Sequence, residues 1–416
     1  MFCMRKLLFL FCAALYLAAC SEKKPVSEFP VIDVVGSIGN YQQVYCSDLF
    51  SSIELIPLET TDECLLSIAN YRHDFVIMND DYILVNYGLN NDFRLCVFDH
   101  SGKFLNQIGQ KGQGPRDYIG IATVFLNRDK PTVYIQDMSN KILEYDFQGK
   151  YIRSIPLPRV QENPLWEISY AGDNLFVGHL SNQGKNESNY YLFDGNGNII
   201  KSFPNHILFN RTNKVFSSFD FALLPFRIDD RLYLKEYVND TIYSLINSTM
   251  KPAFVFGLGK YTYTKELLAS RSFNSGVPKQ SLIIYSLIGS PKYLFYEIRI
   301  PTILPRPKNQ TLMTREFGIY NMEENSNIIL EVKENLPVKM GIFNDVNGGL
   351  PFFPISYAGN NVVIDMWDAD KMKEILTEEY FASRTIKDPQ AHQKLKELLK
   401  NLKEDDNPVV VVAKLK

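Results

Sequence analysis

Cys20 is the residue whose neighbours leave its chemistry least open. It closes the run Leu17-Ala18-Ala19-Cys20, which matches a lipobox: small side chains admit a signal peptidase, and the thiol is the nucleophile that accepts diacylglycerol. Arg5 and Lys6 precede an apolar run, Leu7 to Leu17, that is short for a bilayer span and has the length of a secretory signal. Residues 1–19 are therefore expected to be removed, leaving lipid on Cys20 and the polar stretch SEKKPVSE as a tether leading away from a membrane. Ser21 beside the cysteine argues against retention in an inner membrane. That leaves an outer-membrane lipoprotein, facing the periplasm or the cell surface.

Two further stretches have the composition of a binding surface. In GQKGQGPRDY, Lys111, Gln113, Arg116, Asp117 and Tyr118 stand among glycines that allow close backbone approach. The glycine spacing suggests a phosphate cradle, but no helix follows it, and such cradles need a helix N-terminus. In PTILPRPKNQT, prolines would hold Arg306 and Lys308 away from the body at little entropic cost. Neither stretch carries a nucleophile beside a base. No G-x-S-x-G elbow, P-loop or H-E-x-x-H occurs, so no catalytic residue is assigned.

The five histidines, His73, His100, His179, His206 and His392, are not at metal-ligand spacing and are expected to be solvated or singly bonded. Asp99, Asp146 and Asp194 recur at one position of a repeat, as a turn-stabilising Asp would, whereas a metal site needs side chains converging on one point. No metal or other cofactor is assigned, and calcium in a central channel has no residue set to support it. Asp240-Thr241-Ile242 has the form of an O-glycosylation acceptor, although it also begins a strand. Cys46, Cys64 and Cys96 are too few and too scattered for a disulfide framework, and Cys96 alternates within a strand as a buried residue does. Without residues 1–19, 42 basic residues face 47 acidic ones, which offers no electrostatic footprint for nucleic acid.

The elements that would carry these residues repeat. RLCVFDHSGKFLNQIG and KILEYDFQGKYIRSIPL are the same strand, turn and strand, and Phe193-Asp194-Gly195-Asn196-Gly197 carries the turn a third time. Asp99 to Asp146 is 47 residues and Asp146 to Asp194 is 48. A unit of this length made of strands cannot bury both faces alone, so the fold expected is an all-β, six-bladed β-propeller. Residues 20–45 are expected to form a tether and first strand, and 46–416 the propeller. A short helix is expected after Thr264, and helices within 368–404, with Asp388-Pro389 opening the last and Leu395, Leu398, Leu399 and Leu402 on one face. The segment around Ile53 to Leu58, or the strand before it, is expected to close the ring with the C-terminal blade, to which VVVVAKLK should contribute a strand. The stretch from Val338 onward, up to Trp367, is expected to form the sixth blade.

The FDxxGK turns, IPLETTDE, GQKGQGPRDY, NDTIY and the DNPVVVVAKLK ending together resemble the six-bladed β-propeller lipoproteins abundant in gut Bacteroidota, which are similar to NHL-type propellers. The loop in that group reads GxGPGEY. Here Arg116 replaces the second glycine and Asp117 the glutamate. The resemblance implies a fold and a cell-envelope location, with no catalytic residue to carry over. The function expected is non-catalytic binding or scaffolding of an envelope protein or glycan, by a protein held to the membrane through lipid on Cys20. The alternative is a metal-assisted hydrolase or lyase working in the axial channel.

Overall fold

The computed structural model describes residues 28–66, 76–89, 92–210, 222–270, 280–301, 303–305, 315–331 and 341–416; Cys20, His73, Arg306 and Lys308 lie outside these. Six antiparallel sheets succeed one another along the chain as the blades of a propeller. Blade one comprises Val76–Met78, Ile83–Leu89, Asp92–Phe98 and Phe104–Gln107, and blade two Ile121–Leu126, Thr132–Asp137, Lys141–Asp146 and Tyr151–Pro156. Blade three is Trp166–Gly172, Leu175–His179, Ser188–Asp194 and Ile199–Pro204; blade four is Phe226–Ile228, Arg231–Leu234, Thr241–Ile246 and Thr249–Phe256. Blade five is Ile283–Gly289, Tyr293–Arg299, Glu316–Asn321 and Ser326–Ile329. Blade six takes Ser356–Gly359, Val362–Trp367 and Val409–Leu415 from the C-terminal part and its outermost strand, Phe50–Pro57, from the N-terminal part. That pairing runs from Phe50 opposite Leu415 to Pro57 opposite Val409, and it closes the ring.

The core is divided by this architecture. Separate clusters of buried side chains lie at each of the six blade junctions, because each sheet has two faces to cover and its neighbours supply the cover. Broad rings fill the wedges. Between blades two and three, Tyr134 meets Phe176 at 5.1 Å edge-on and stacks on Tyr170 at 5.6 Å. Cys46, Cys64 and Cys96 are buried free thiols in these junctions.

The recurring turn fixes how blades meet. Asp99 Oδ1 accepts from the amides of Ser101 (2.8 Å) and Lys103 (3.1 Å), Asp146 Oδ1 from Gln148 (3.1 Å) and Lys150 (2.8 Å), and Asp194 Oδ1 from Asn196 and Asn198 (both 2.9 Å). Gly102, Gly149 and Gly197 then take positive φ (86°, 83° and 83°). Each also lies against the end of the preceding blade's outer strand. A Cβ there would stand 2.0 Å from Pro57 O, 3.1 Å from Gln107 O and 2.6 Å from Pro156 O respectively.

Residues 30–57 form a belt over the outer edges of blades four, five and six. Val31–Ile32 adds a parallel fifth strand to blade four, Gln42 bridges to Leu330, and Tyr45 bridges to Phe343. The first strand expected near Phe29 to Val35 is thus present, and the following strand, Phe50–Pro57, closes the ring. The sixth blade starts later than the sequence suggested: of the described residues 341–355, Ile342 and Phe352 bridge each other and Phe343 bridges to Tyr45 of the belt, but none belongs to a strand. Local bonds donated by the Asn347 amide to Asn344 Oδ1 and by the Gly349 amide to Asn347 Oδ1, with Gly348 at φ 73°, hold this stretch as a coil. Helices Ala369–Ile375, Glu378–Ala382 and Pro389–Asn401 connect the second and third strands of blade six. Asp388 caps the last of these through the Gln390 and Ala391 amides, and Leu395 and Leu402 are buried against the blade.

Candidate functional site

Because the first strand of every blade lines the axis, the channel is built from six short edges. It narrows to a cavity of about 160 Å³ lined by Val76–Met78, Thr123–Leu126, Ile168–Ser169, Leu224–Arg227, Leu287–Gly289, Ser356–Tyr357 and Arg128. Two of these residues, Arg128 and Arg227, are charged, and both are cations. Arg227 donates to the carbonyls of Tyr170 and Asp230, the latter at 2.9 Å. Burial, with the like charge of Arg128, brings its pKa down to about 10. Arg128 is exposed by surface area yet stands inside the concave mouth, and burial lowers its pKa too. The cavity can hold a small molecule with an apolar body and one negative group. Among the described residues no group of three or more His, Cys, Asp or Glu side chains is arranged to hold a metal ion.

The GQKGQGPRDY loop joins blades one and two and is tied to itself. Gly112 N donates to Tyr118 O (3.0 Å) and Tyr118 N to Gln110 O (3.1 Å). Asp117 accepts from Gln110 Nε2 (3.1 Å) and from the Gly114 amide (3.0 Å), while its carbonyl accepts from Lys141 Nζ (2.8 Å). Tyr118 is fully buried, and its hydroxyl donates to Phe93 O at 3.1 Å. Lys111, Gln113 and Arg116 are exposed, with the Arg116 guanidinium 5.5 Å from the centre of the Tyr151 ring. Arg116, Asp117 and Tyr151 border a groove of about 770 Å³ with Lys150 and Ile152. The five candidate residues thus divide: three present side chains to solvent, Asp117 is half-buried and Tyr118 belongs to the core.

A buried polar cluster at the junction of blades three and four was not anticipated. His179, expected to be solvated or singly bonded, is wholly buried with Glu167 Oε2 3.5 Å from Nδ1 and Glu236 Oε1 3.5 Å from Nε2. These separations are long for hydrogen bonds, and neither ring nitrogen makes one, so the contacts are ion pairs. Burial alone would lower the imidazole pKa; the two carboxylates outweigh it and bring it up to about 9. Glu236 is held low despite burial by His179, Asn239 and Asn189, whose Nδ2 donates to Oε1 at 2.6 Å. Lys235 beside it is also buried, which brings its pKa down to about 8. The signal missed was spatial: strand pairing within blade three brings Glu167 to the ring, and the stacking of the next blade brings Glu236. The other described histidines are as expected, with His100 Nε2 2.9 Å from Asn79 O and His392 Nδ1 2.8 Å from Asn347 O. Thr241 is half-buried in a strand, and Asp240 accepts from Thr262 Oγ1 at 2.8 Å.

Fold and cavity together define a six-bladed β-propeller with a small axial pocket. The chain belongs to the family of the domain of unknown function DUF4934, whose model matches residues 29–414. A crystal structure from Bacteroides fragilis NCTC 9343, named a putative exported protein, is similar at 19% identity with a TM-score of 0.66, covering 93% of this chain and 99% of that one. A member of the DUF4221 family from Bacteroides vulgatus ATCC 8482 is similar at 10% identity with a TM-score of 0.49, covering 88% of this chain and 97% of that one. No curated protein matches.

Proposed function

We propose that the protein is a lipid-anchored cell-envelope propeller that binds a partner, an envelope protein or a glycan, without catalysis, through one end of its ring. The observation that carries this reading is the asymmetry of the connections. At one end, adjacent strands are joined by tight turns such as 79–82, 173–174, 229–230 and 360–361. All the long connections leave from and return to the other end, including 108–120, 180–187, 257–282, 300–315 and the helical 368–408. Binding residues concentrate on such loops because a rigid scaffold positions them while the loops vary freely. Lys111, Gln113 and Arg116 are at this end.

Anchoring through Cys20 rests on the lipobox, and the name of the Bacteroides fragilis relative is in keeping with export. Among the described residues no helix is long and apolar enough to cross a membrane. Replacing Cys20 by Ser should move the protein from the membrane to the soluble envelope fraction; retention in the membrane would refute the anchor. For the partner, a photo-reactive side chain placed at Gln113, or at Lys394 exposed on the helix Pro389–Asn401, in living cells should give cross-linked adducts. The same probe at Asn196 or Asn247, in tight turns, should give none. Adducts from the turn end alone would overturn the assignment of the binding end.

A further inference from the structure

We infer that the axial cavity is a binding site for a small organic carboxylate, held by Arg128 and Arg227 with its apolar body against the first strands of the blades. This goes beyond the partner-binding surface, because the cavity approaches the opposite end of the ring, where Arg227 reaches the turn carbonyl of Asp230. The argument starts from charge. The lining includes two ionisable cations and no acidic residue, and the two arginines repel each other. Asp230 acts on both arginines and Asp129 on Arg227 from outside the cavity, but burial outweighs them, so an anion inside would offset a cost that these carboxylates leave in place.

The hydrogen-bonding state of the pair points the same way. Among the described residues no carboxylate lies within 4.0 Å of either guanidinium. Arg227 is held by backbone carbonyls, which fix its direction without neutralising it. Arg128 makes no hydrogen bond or ion pair with any described residue. Ser356, which also lines the cavity, has a buried hydroxyl with no partner. A carboxylate has the lone pairs to satisfy both kinds of donor, and a planar guanidinium matches its geometry.

Size and surroundings narrow the class. A cavity of about 150 Å³ holds benzene, so one of about 160 Å³ takes roughly a benzoate-sized ligand. The walls supply Val124, Phe125, Ile168, Phe226 and Ile288. Beyond the mouth, Asp129, Asp229 and Asp230 lie in the turns, with Asp129 already accepting from the Tyr170 hydroxyl and the Asp173 amide. This acidic rim works against multiply charged anions such as phosphate and leaves a monoanion with an apolar body.

The test is calorimetric titration of the full chain, carrying Cys20→Ser for solubility, with benzoate, benzyl alcohol and inorganic phosphate. Benzoate should bind one per chain, at least tenfold more tightly than benzyl alcohol, and phosphate should neither bind nor displace it. Arg128→Gln removes a side chain that makes no hydrogen bond or ion pair with any described residue, so its melting temperature should match the parent while benzoate affinity falls at least tenfold. Equal binding of the alcohol, benzoate binding that survives Arg128→Gln, or no benzoate heat at millimolar concentration would each overturn the proposal. Displacement of benzoate by phosphate would overturn the assigned ligand class.

Discussion

At the scale of single residues, the recurring turn shows why one glycine can serve two demands. Gly359 also has positive φ (93°), but nothing lies within 4 Å of where its Cβ would be. Gly359→Ala should therefore cost only the left-handed backbone, about 1–2 kcal/mol. At Gly102 the new Cβ also meets the Pro57 carbonyl, and overpacking of this kind adds a further ~1–3 kcal/mol. Urea unfolding of the two variants should separate them; equal losses would mean that the blade contact contributes nothing. His179 gives a pH signature. Its folded pKa is raised to about 9, so the stabilisation is complete below the ordinary histidine value of about 6.5 and is lost as pH rises through 9. Lys235, shifted down, acts in the opposite sense at higher pH, which makes the difference from His179→Gln the quantity to measure. The variant should be less stable by about 3–5 kcal/mol near neutral pH, because the buried Glu236 and the half-buried Glu167 lose their cation. That gap should shrink between pH 6.5 and 9, whereas a flat gap would show that His179 is uncharged in the fold.

At the scale of elements, the GQKGQGPRDY loop separates support from exposure. Asp117 holds the loop through Gln110 and the Gly114 amide, so Asp117→Ala should lower the melting temperature, corresponding to about 1–2 kcal/mol. Gln113→Ala, at an exposed side chain, should stay within about 0.5 kcal/mol. If the loop contacts a partner, Gln113→Ala and Arg116→Ala should weaken cross-linking from Lys394 while leaving the melting temperature within a degree or two. The loop's existence and place could be read from its glycines and from the strands on either side. The division of labour within it could not, since nothing in the residue types says that Tyr118 turns inward to Phe93 while Arg116 turns out. The same limit explains His179: its ion-pair partners are in the first strand of its own blade and in the next blade, and sequence spacing does not encode that meeting. By contrast, the Asp of the FDxxGK turn acts on its own backbone within four residues, and the Gly takes positive φ in the same turn, so these roles were legible directly; the glycine's contact with the preceding blade was not.

At the scale of the molecule, a near-fifty-residue period announced the ring, and the apolar runs near both chain ends announced its closure. The belt over blades four to six was not legible, because single bridges at Gln42 and Tyr45 leave no periodic mark. A closed ring of wedge-shaped cores has one seam where chain connectivity does not reinforce the sheet, between Phe50–Pro57 and Val409–Leu415. Asn407 is the clasp on that seam. Its Nδ2 donates to Glu59 O (2.7 Å) and Cys64 O (2.9 Å), its Oδ1 accepts from the Leu66 amide (2.7 Å), and its own amide donates to Thr60 Oγ1 (2.8 Å). The side chain is buried, so Asn407→Ala leaves the Cys64 carbonyl and the Leu66 amide without this partner and the Glu59 carbonyl with only the weak Cys64 thiol donor, and water has poor access to replace it. The expected loss is about 3 kcal/mol. Hydrogen exchange should localise it, with faster exchange at Phe50–Pro57 and Val409–Leu415 and unchanged protection at Thr132–Asp137 in blade two, where the chain itself joins neighbouring strands. Equal acceleration in every blade would show that the ring opens as one cooperative unit, and the seam would then have no separate stability for the clasp to control.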